Sequence, residues 1–334
     1  MATIKDVAAL AGVSFTTVSH VVNRTRPVSR TAREKVEHAI RQLNYVPSGV
    51  ARSLKVRATS TIGLLVPNST NPYFAELARG IETRCERNGY CVFLCNSDDD
   101  PEKQRNYLRA LREKRIDGLV IASAGDNYSL MEGLVDNHVP VVIVDREVEG
   151  VAADLVEIDH EAGAYVATQH LLALGHRRIG CISGPSSMAV GTLRVAGFRR
   201  AMGEAGVPVP AEAVVESDFS SPGGYYAASR LFANLMPTAI FAGNDMMGIG
   251  VLRAAAERGI RVPQDCSVIG FDDIELSRYV YPALSTVGQS IPQLGEQAAQ
   301  LLLDRISGMA TGTPRRQIVA PQLTLRESTA PLVE

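Results

Sequence analysis

From residue 60 to about residue 290 the chain repeats one pattern, a short apolar run followed by a longer stretch at helical spacing. TIGLLVP (61–67), YCVFLCN (90–96), IDGLVIAS (116–123) and VPVVIVD (139–145) are the first four runs, with helical spacing over 75–88, 104–115 and 130–137. The rhythm restarts with RRIGCIS (177–183), VVESDF (214–219), TAIFAGN (238–244) and CSVIGFDD (266–273), with helical stretches at 162–174, 193–204, 223–235 and 246–257. Unbroken Val/Ile-rich runs of this length are strands buried on both faces, which a parallel sheet covered by helices provides. The reading is an α/β body of two parallel-sheet lobes, near 60–160 and 161–290. VGQS (287–290) reads as a strand-end loop where the chain crosses back, 292–306 as the last long helix, and QLTLRES (322–328) as an edge or crossover strand.

Residues 1–60 are different in kind. They hold ten Lys/Arg against three acids, about +7, so the formal net charge of −2 leaves about −9 for the rest. A basic head on an acidic body directs polyanions to the head alone. Thr3 and Asp6 have capping-box spacing before a short helix with Ile4, Val7, Ala8 and Leu10 on one face. Gly12 allows a tight turn, Val13 plugs the angle, and Ser14 is an N-cap for a second helix that buries Val18, Val21 and Val22. A third helix spans 29–43. Two short helices joined at a glycine form a helix-turn-helix, whose second helix can enter the major groove. Thr16, Thr17 and His20 lie along its exposed start, as base readers, phosphate contacts or caps. Arg24, Arg26 and Arg30 suit phosphates.

The head closes at residue 46, and 47–59 join it to the body at 60–334. Pro47 and Ser48 can open a helix, and Val50, Ala51, Leu54 and Lys55 continue it. Two turns cannot repay helix nucleation alone, so this segment needs a partner, and Arg52, Lys55 and Arg57 point to a phosphate backbone. Leu54 is a wedge for a minor-groove base step or a contact with its own symmetry mate.

In parallel sheets ligands bind beyond the carboxyl ends of strands. Asn71, Tyr73 and Phe74 follow the first strand, Asp145 and Arg146 the fourth, and Arg194, Phe219, Asn244, Asp272 and Gln289 come from the second lobe. Carboxylates, a guanidinium and amides with flanking rings suit a neutral polyol in a cleft. Asn71 and Asn244 also read as helix caps. A sugar kinase or dehydrogenase is the competing class, but GxGxxG and GxxxxGK[ST] do not occur after the first strand, and His160 beside Asp159 has no nucleophile to serve. No catalytic residue, cofactor or metal site is expected, since the six histidines lack zinc spacing. Five cysteines without a CxxC pair read as thiols of a reducing cytoplasm, and no run reaches membrane-spanning length.

The segments MATIKDVAALAGVSFTTVSHVVN, NYVPSGVARSLK, GHRRIGCISGP, FAGNDMMGIGVL, VPQDCSVIGFDD and ALSTVGQ resemble the LacI/GalR family of bacterial transcription regulators over essentially the whole chain. Within it the chain resembles most the ribose operon repressors, with the purine repressors next. The resemblance implies a homodimer on a pseudopalindromic double-stranded operator, with Thr16, Thr17 and His20 reading the major groove. It implies that Leu54 intercalates with support from Lys55, and that the body resembles the periplasmic ribose-binding protein. On that basis Asn71, Tyr73, Phe74, Asp145, Arg146, Arg194, Phe219, Asn244, Asp272 and Gln289 contact D-ribose, which releases the operator. The purine repressors, co-repressed by their ligand, have tryptophan where this chain has Arg146, a departure that favours a polyol over a flat base.

Overall fold

The computed structural model describes residues 2–23, 25–46, 58–122, 139–145, 148, 151–288 and 290–332. They form two compact units, Met1–Thr59 and Ser60–Glu334.

In the first unit α1 (Ile4–Ala11), α2 (Phe15–Asn23) and α3 (Arg30–Gln42) enclose Val7, Ala8, Ala11, Val18, Val36 and Ala39. Thr3 and Asp6 close the capping box: Thr3 N–H donates to Asp6 Oδ2 at 2.7 Å and Asp6 N–H to Thr3 Oγ1 at 3.4 Å. Gly12 ends α1 at φ 62°, a conformation a side chain disfavours, which turns the chain into α2. Val13, Val21, Val22 and Leu43 pack against the same core. The proposed helix at 47–55, with Leu54 and Lys55, and the helix read at 130–137 lie outside the described residues.

In the second unit a six-stranded parallel sheet holds β1 (Thr61–Val66), β2 (Cys91–Asn96), β3 (Gly118–Ile121), β4 (Val141–Val144), β5 (Asp154–Ile158) and β11 (Arg316–Val319), in the order β11-β5-β4-β3-β1-β2. A four-stranded parallel sheet holds β6 (Ile179–Ser183), β7 (Val214–Glu216), β8 (Ala239–Ala242) and β9 (Ser267–Ile269), in the order β7-β6-β8-β9. β10 (Thr286–Gly288) pairs antiparallel with β12 (Gln322–Thr324).

Apolar runs and amphipathic helices explain the layers. On one face of the larger sheet Ile62, Leu64 and Val66 meet Leu77 and Ile81 of α4 (Pro72–Arg87). They also meet Leu294, Ala298 and Leu302 of the last long helix (Ile291–Ile306). On the other face Leu65, Ile121 and Ile143 meet Leu108 and Leu111 of α5 (Pro101–Glu113). A Cβ at Gly80 would lie 2.1 Å from the Pro292 carbonyl oxygen, so these helices pack backbone to backbone. The smaller sheet is covered on one side by α6 (His160–Ala173) and α7 (Ala189–Glu204). On the other lie α8 (Ser221–Asn234) and α9 (Asp245–Glu257). The last helix becomes α10.

The sequence reading missed β5 and β11. Their pairing is secured by the buried Asp154 carboxylate, which takes Arg305 of α10 at 2.7 Å and Arg315, just before β11, at 2.8 Å. The chain therefore passes between the sheets three times: from β5 into α6, from β10 into α10, and from β11 into β12. The segment read as a strand at 322–328 pairs only over Gln322–Thr324.

Candidate functional site

The strand ends of both sheets converge on a cavity of about 440 Å³. From the larger sheet come Asn68, Asn71, Tyr73 and Phe74 after β1, and Asp145 after β4. From the smaller come Met188 just before α7 and Arg194 on it, Phe219 after β7, Asn244 after β8 and Asp272 after β9. Thus every described residue among the ten expected at the ligand lines one space; Arg146 and Gln289 lie outside the described residues. Asp145, Phe219 and Asp272 each have positive φ, at 74°, 63° and 114°. Non-glycine residues hold this conformation at a cost, and such strain concentrates where a side chain must be aimed.

A chain of buried polar groups crosses the cavity floor. Arg194 donates through Nη2 to Asp272 Oδ1 at 3.1 Å, through Nε to His160 Nδ1 at 3.4 Å, and through Nη1 to the Gly243 carbonyl. Its guanidinium carbon lies 3.8 Å from the centroid of the Phe271 ring, a cation–π contact. His160 Nε2 lies 3.0 Å from Asp145 Oδ1 and 3.3 Å from the Asp145 carbonyl oxygen. Sequence reading weighed His160 only as a catalytic base and set it aside for want of a nucleophile; it sits two residues past β5, itself missed. Its signal was its position: a strand end facing the same cleft.

The electrostatics follow from this geometry. Burial first, then the Asp145 charge, push the Asp272 carboxyl up to about 6 against the pull of Arg194. Asp145 is buried too, but its contact with His160 and then the charge of Arg194 outweigh that and hold it below the usual carboxylate range. Burial, with the neighbouring carboxylates next, carries the Tyr73 phenol well above its ordinary value. That phenol faces Asp145 without hydrogen-bond geometry and has no partner among the described residues. Asp245, fully buried at the start of α9, binds Thr286 and the Ile274 amide and so ties α9 to the crossover.

Two expected ligand groups are engaged inside the protein. Asn71 caps α4, its Oδ1 accepting from Tyr73 N–H at 3.1 Å. Asn244 caps α9 through Met247 N–H at 2.8 Å, and its Nδ2 donates to the Phe219 carbonyl at 3.1 Å. The Asn244 amide, which lines the cavity, thus also holds Phe219 in place. The Phe219 ring in turn fills the space over Gly184, where a Cβ would lie 1.9 Å from it.

In the head, Thr16 is exposed on the first turn of α2. The Thr17 hydroxyl lies 2.9 Å from Ser14 Oγ, which also accepts from Thr17 N–H, so it helps to cap the helix. His20 Nδ1 meets Thr25 Oγ1 at 2.8 Å. Arg26 is exposed, and so is Arg30, which pairs with Glu34. Arg24 lies outside the described residues. Phe15, not singled out in the sequence, is 52% exposed beside Thr16. An apolar ring left in water at the entry of a recognition helix suits a thymine methyl.

A helix-turn-helix unit followed by a cavity-bearing α/β body of two parallel sheets defines a ligand-responsive DNA-binding regulator. Residues 3–48 match "Bacterial regulatory proteins, lacI family", and residues 168–329 match "Periplasmic binding protein-like domain". The chain belongs to the lacI family. It is 43% identical over 98% of both chains to the HTH-type transcriptional repressor PurR of Haemophilus influenzae (strain PittEE). It is 46% identical over 92% of both to the PurR of Vibrio cholerae serotype O1 (strain M66-2). Among solved structures it superposes on the lac repressor dimer bound to operator and the anti-inducer ONPF, with TM-score 0.87 and 31% identity over 98% of this chain and 99% of that one. A LacI family regulator from Enterococcus faecium with bound ribose gives TM-score 0.74 and 34% identity over 82% of this chain and 100% of that one. The expected ranking, ribose operon repressors before purine repressors, is overturned by the PurR relatives. Among the described residues no helix is long and apolar enough to cross a membrane, and no cluster of metal-ligating side chains occurs.

Proposed function

We propose that two copies of this chain bind a pseudopalindromic operator through their helix-turn-helix heads, and that a neutral effector in the cavity sets their affinity for it. The observation that carries the effector reading is the charge of the lining. Among its described residues the one cation is Arg194, engaged through three of its nitrogens, against carboxylates at Asp99, Asp145, Asp218 and Asp272. A phosphate or carboxylate ligand would be repelled there, whereas N–H and O–H donors are accepted. The effector we assign first is a purine base, as the PurR relatives favour. Tyr73 and Phe74, edge to face at 5.1 Å, and Phe219 offer ring surface, and the aspartates accept ring N–H groups. A small sugar such as D-ribose is the second reading, favoured by the ribose-bound relative and by the surplus of hydroxyl acceptors.

Calorimetry with hypoxanthine, guanine, D-ribose and ribose 5-phosphate, followed by operator titration with whichever binds, separates the readings. A purine is expected to tighten operator binding, as in its co-repressed relatives, and ribose to loosen it. Saturable binding of the phosphosugar alone would sink the neutral-effector reading.

Effector binding is expected to fall about tenfold between pH 7 and pH 5, because an effector donating to ionised Asp272 must first displace a proton from a group titrating near 6. The sign for the empty protein is opposite. A carboxyl raised on folding lends stability that is complete below the unfolded value near 4 and is lost as pH rises through 6. Calorimetry and thermal melts across pH 4.5–7.5 read both; affinity flat over that range would remove Asp272 from the contact.

Phe15→Ala is expected to relax preference at one base pair per half-site by roughly 1 kcal/mol or more. The salt dependence should stay unchanged, since no charge is lost. Selection from a randomised duplex pool would show it; an unaltered base preference removes Phe15 from readout.

A further inference from the structure

We propose that His160 is the positioning residue that locks the cavity's two ligand-facing charge centres, Asp145 and the Arg194–Asp272 pair, into one arrangement across the two lobes. This rests on reading the cavity as the effector site. His160 is the first residue of α6, directly after the chain leaves β5 of the larger sheet, so its backbone stands on the crossover. Its ring is buried, with 2% of the side chain exposed. It does not line the cavity.

The partners dictate the ring's proton. Arg194 offers only donors, and Nε and Nη2 approach Nδ1 at 3.4 and 3.3 Å, so Nδ1 carries the lone pair. On the other side Nε2 bonds the Asp145 carbonyl, a pure acceptor, at 3.3 Å, so Nε2 carries the hydrogen; Oδ1 lies 3.0 Å away but without hydrogen-bond geometry. The neutral ring thus points its donor at the larger sheet's strand end and its acceptor at the smaller lobe's arginine. Holding the Asp145 carbonyl, with the carboxylate in close contact beside it, opposes relaxation of its strained φ of 74°. On the other side the same ring shares Arg194 with Asp272, and Phe271 backs both, 5.9 Å from the His160 ring and 3.8 Å from the guanidinium. Phe271 sits against Gly163, one turn further along α6, where a Cβ would lie 2.7 Å from the ring. If the lobes shift about the crossover, Asp145 and Arg194 cannot both keep this ring.

Glutamine carries one donor and one acceptor and can stand in for this tautomer; leucine fills the space and offers neither. The full-length protein is titrated with hypoxanthine and with D-ribose as wild type, His160→Leu and His160→Gln, with thermal melts to confirm folding. Expected is a loss of about tenfold or more in affinity for the binding probe in the leucine variant, and recovery to within about threefold in the glutamine variant. Wild-type affinity in the leucine variant, or a glutamine variant as weak as leucine, overturns the proposal. A second measurement needs no effector: nitrogen-15 imidazole spectra of histidine-labelled protein, with the His160 signal identified by its absence from His160→Gln. A neutral Nε2–H ring at pH 7 is expected; an Nδ1–H tautomer or an imidazolium overturns the proposal. If the wild type binds neither probe, the effector reading fails by itself, and the tautomer still decides the role of His160.

Discussion

Raising salt from 50 to 200 mM is expected to weaken binding to the specific operator by roughly 10³–10⁵-fold, the loss for six to ten neutralised phosphates. Each head carries about +7 while the rest of the chain carries about −9, so the cationic face is confined to residues 1–60. Exposed Arg26 and Arg30 supply part of it. Two heads on one duplex bring twenty Lys/Arg to the phosphates, enough for roughly six to ten contacts. The acidic body makes the net effect shallower, because its repulsion of DNA is strongest at low salt and is screened as salt rises. Fluorescence anisotropy across a salt series gives the slope of log affinity against log salt. A slope shallower than about −3 would leave too few phosphate contacts for a paired-head complex.

Arg194→Ala is expected to destabilise the protein by about 3–5 kcal/mol at pH 7 and to abolish effector binding. Removing the guanidinium leaves the Asp272 carboxyl buried beside Asp145 with no counter-charge, and deprives His160 and the Gly243 carbonyl of a donor. Asp272 already titrates near 6, so in the variant it is expected to take up a proton and recover part of the loss at pH 5. The destabilisation should therefore shrink as pH falls. Denaturant titrations at pH 7 and pH 5 measure it. A loss below about 1 kcal/mol at both would mean that the pair is exchanged with solvent rather than buried. Arg194→Lys is not expected to rescue binding, because a single ammonium cannot reach three acceptors on different elements.

What the sequence determined by itself was whatever depends on neighbours in the chain. The capping box at Thr3 and Asp6, the turn at Gly12, the apolar faces of α1 to α3 and the Val/Ile runs of eight strands are local, and each sets its own element. The strand-end rule extended this to the site, placing Asp145, Phe219 and Asp272 at one opening because parallel strands share a direction. What only the tertiary structure decided were the contacts between segments far apart in sequence. β11 pairs with β5, 161 residues away, because Asp154 gathers Arg305 and Arg315, and nothing in RQIV (316–319) by itself marks a strand. Asn244 read as a ligand contact or a helix cap, and only the packed fold shows that its amide also holds the loop of Phe219. His160 read as a histidine without a task, since its meaning lies in Asp145 and Arg194, 15 and 34 residues away. A buried polar group must find partners wherever the fold provides them, so its role is a property of the packed chain and not of its neighbours in sequence.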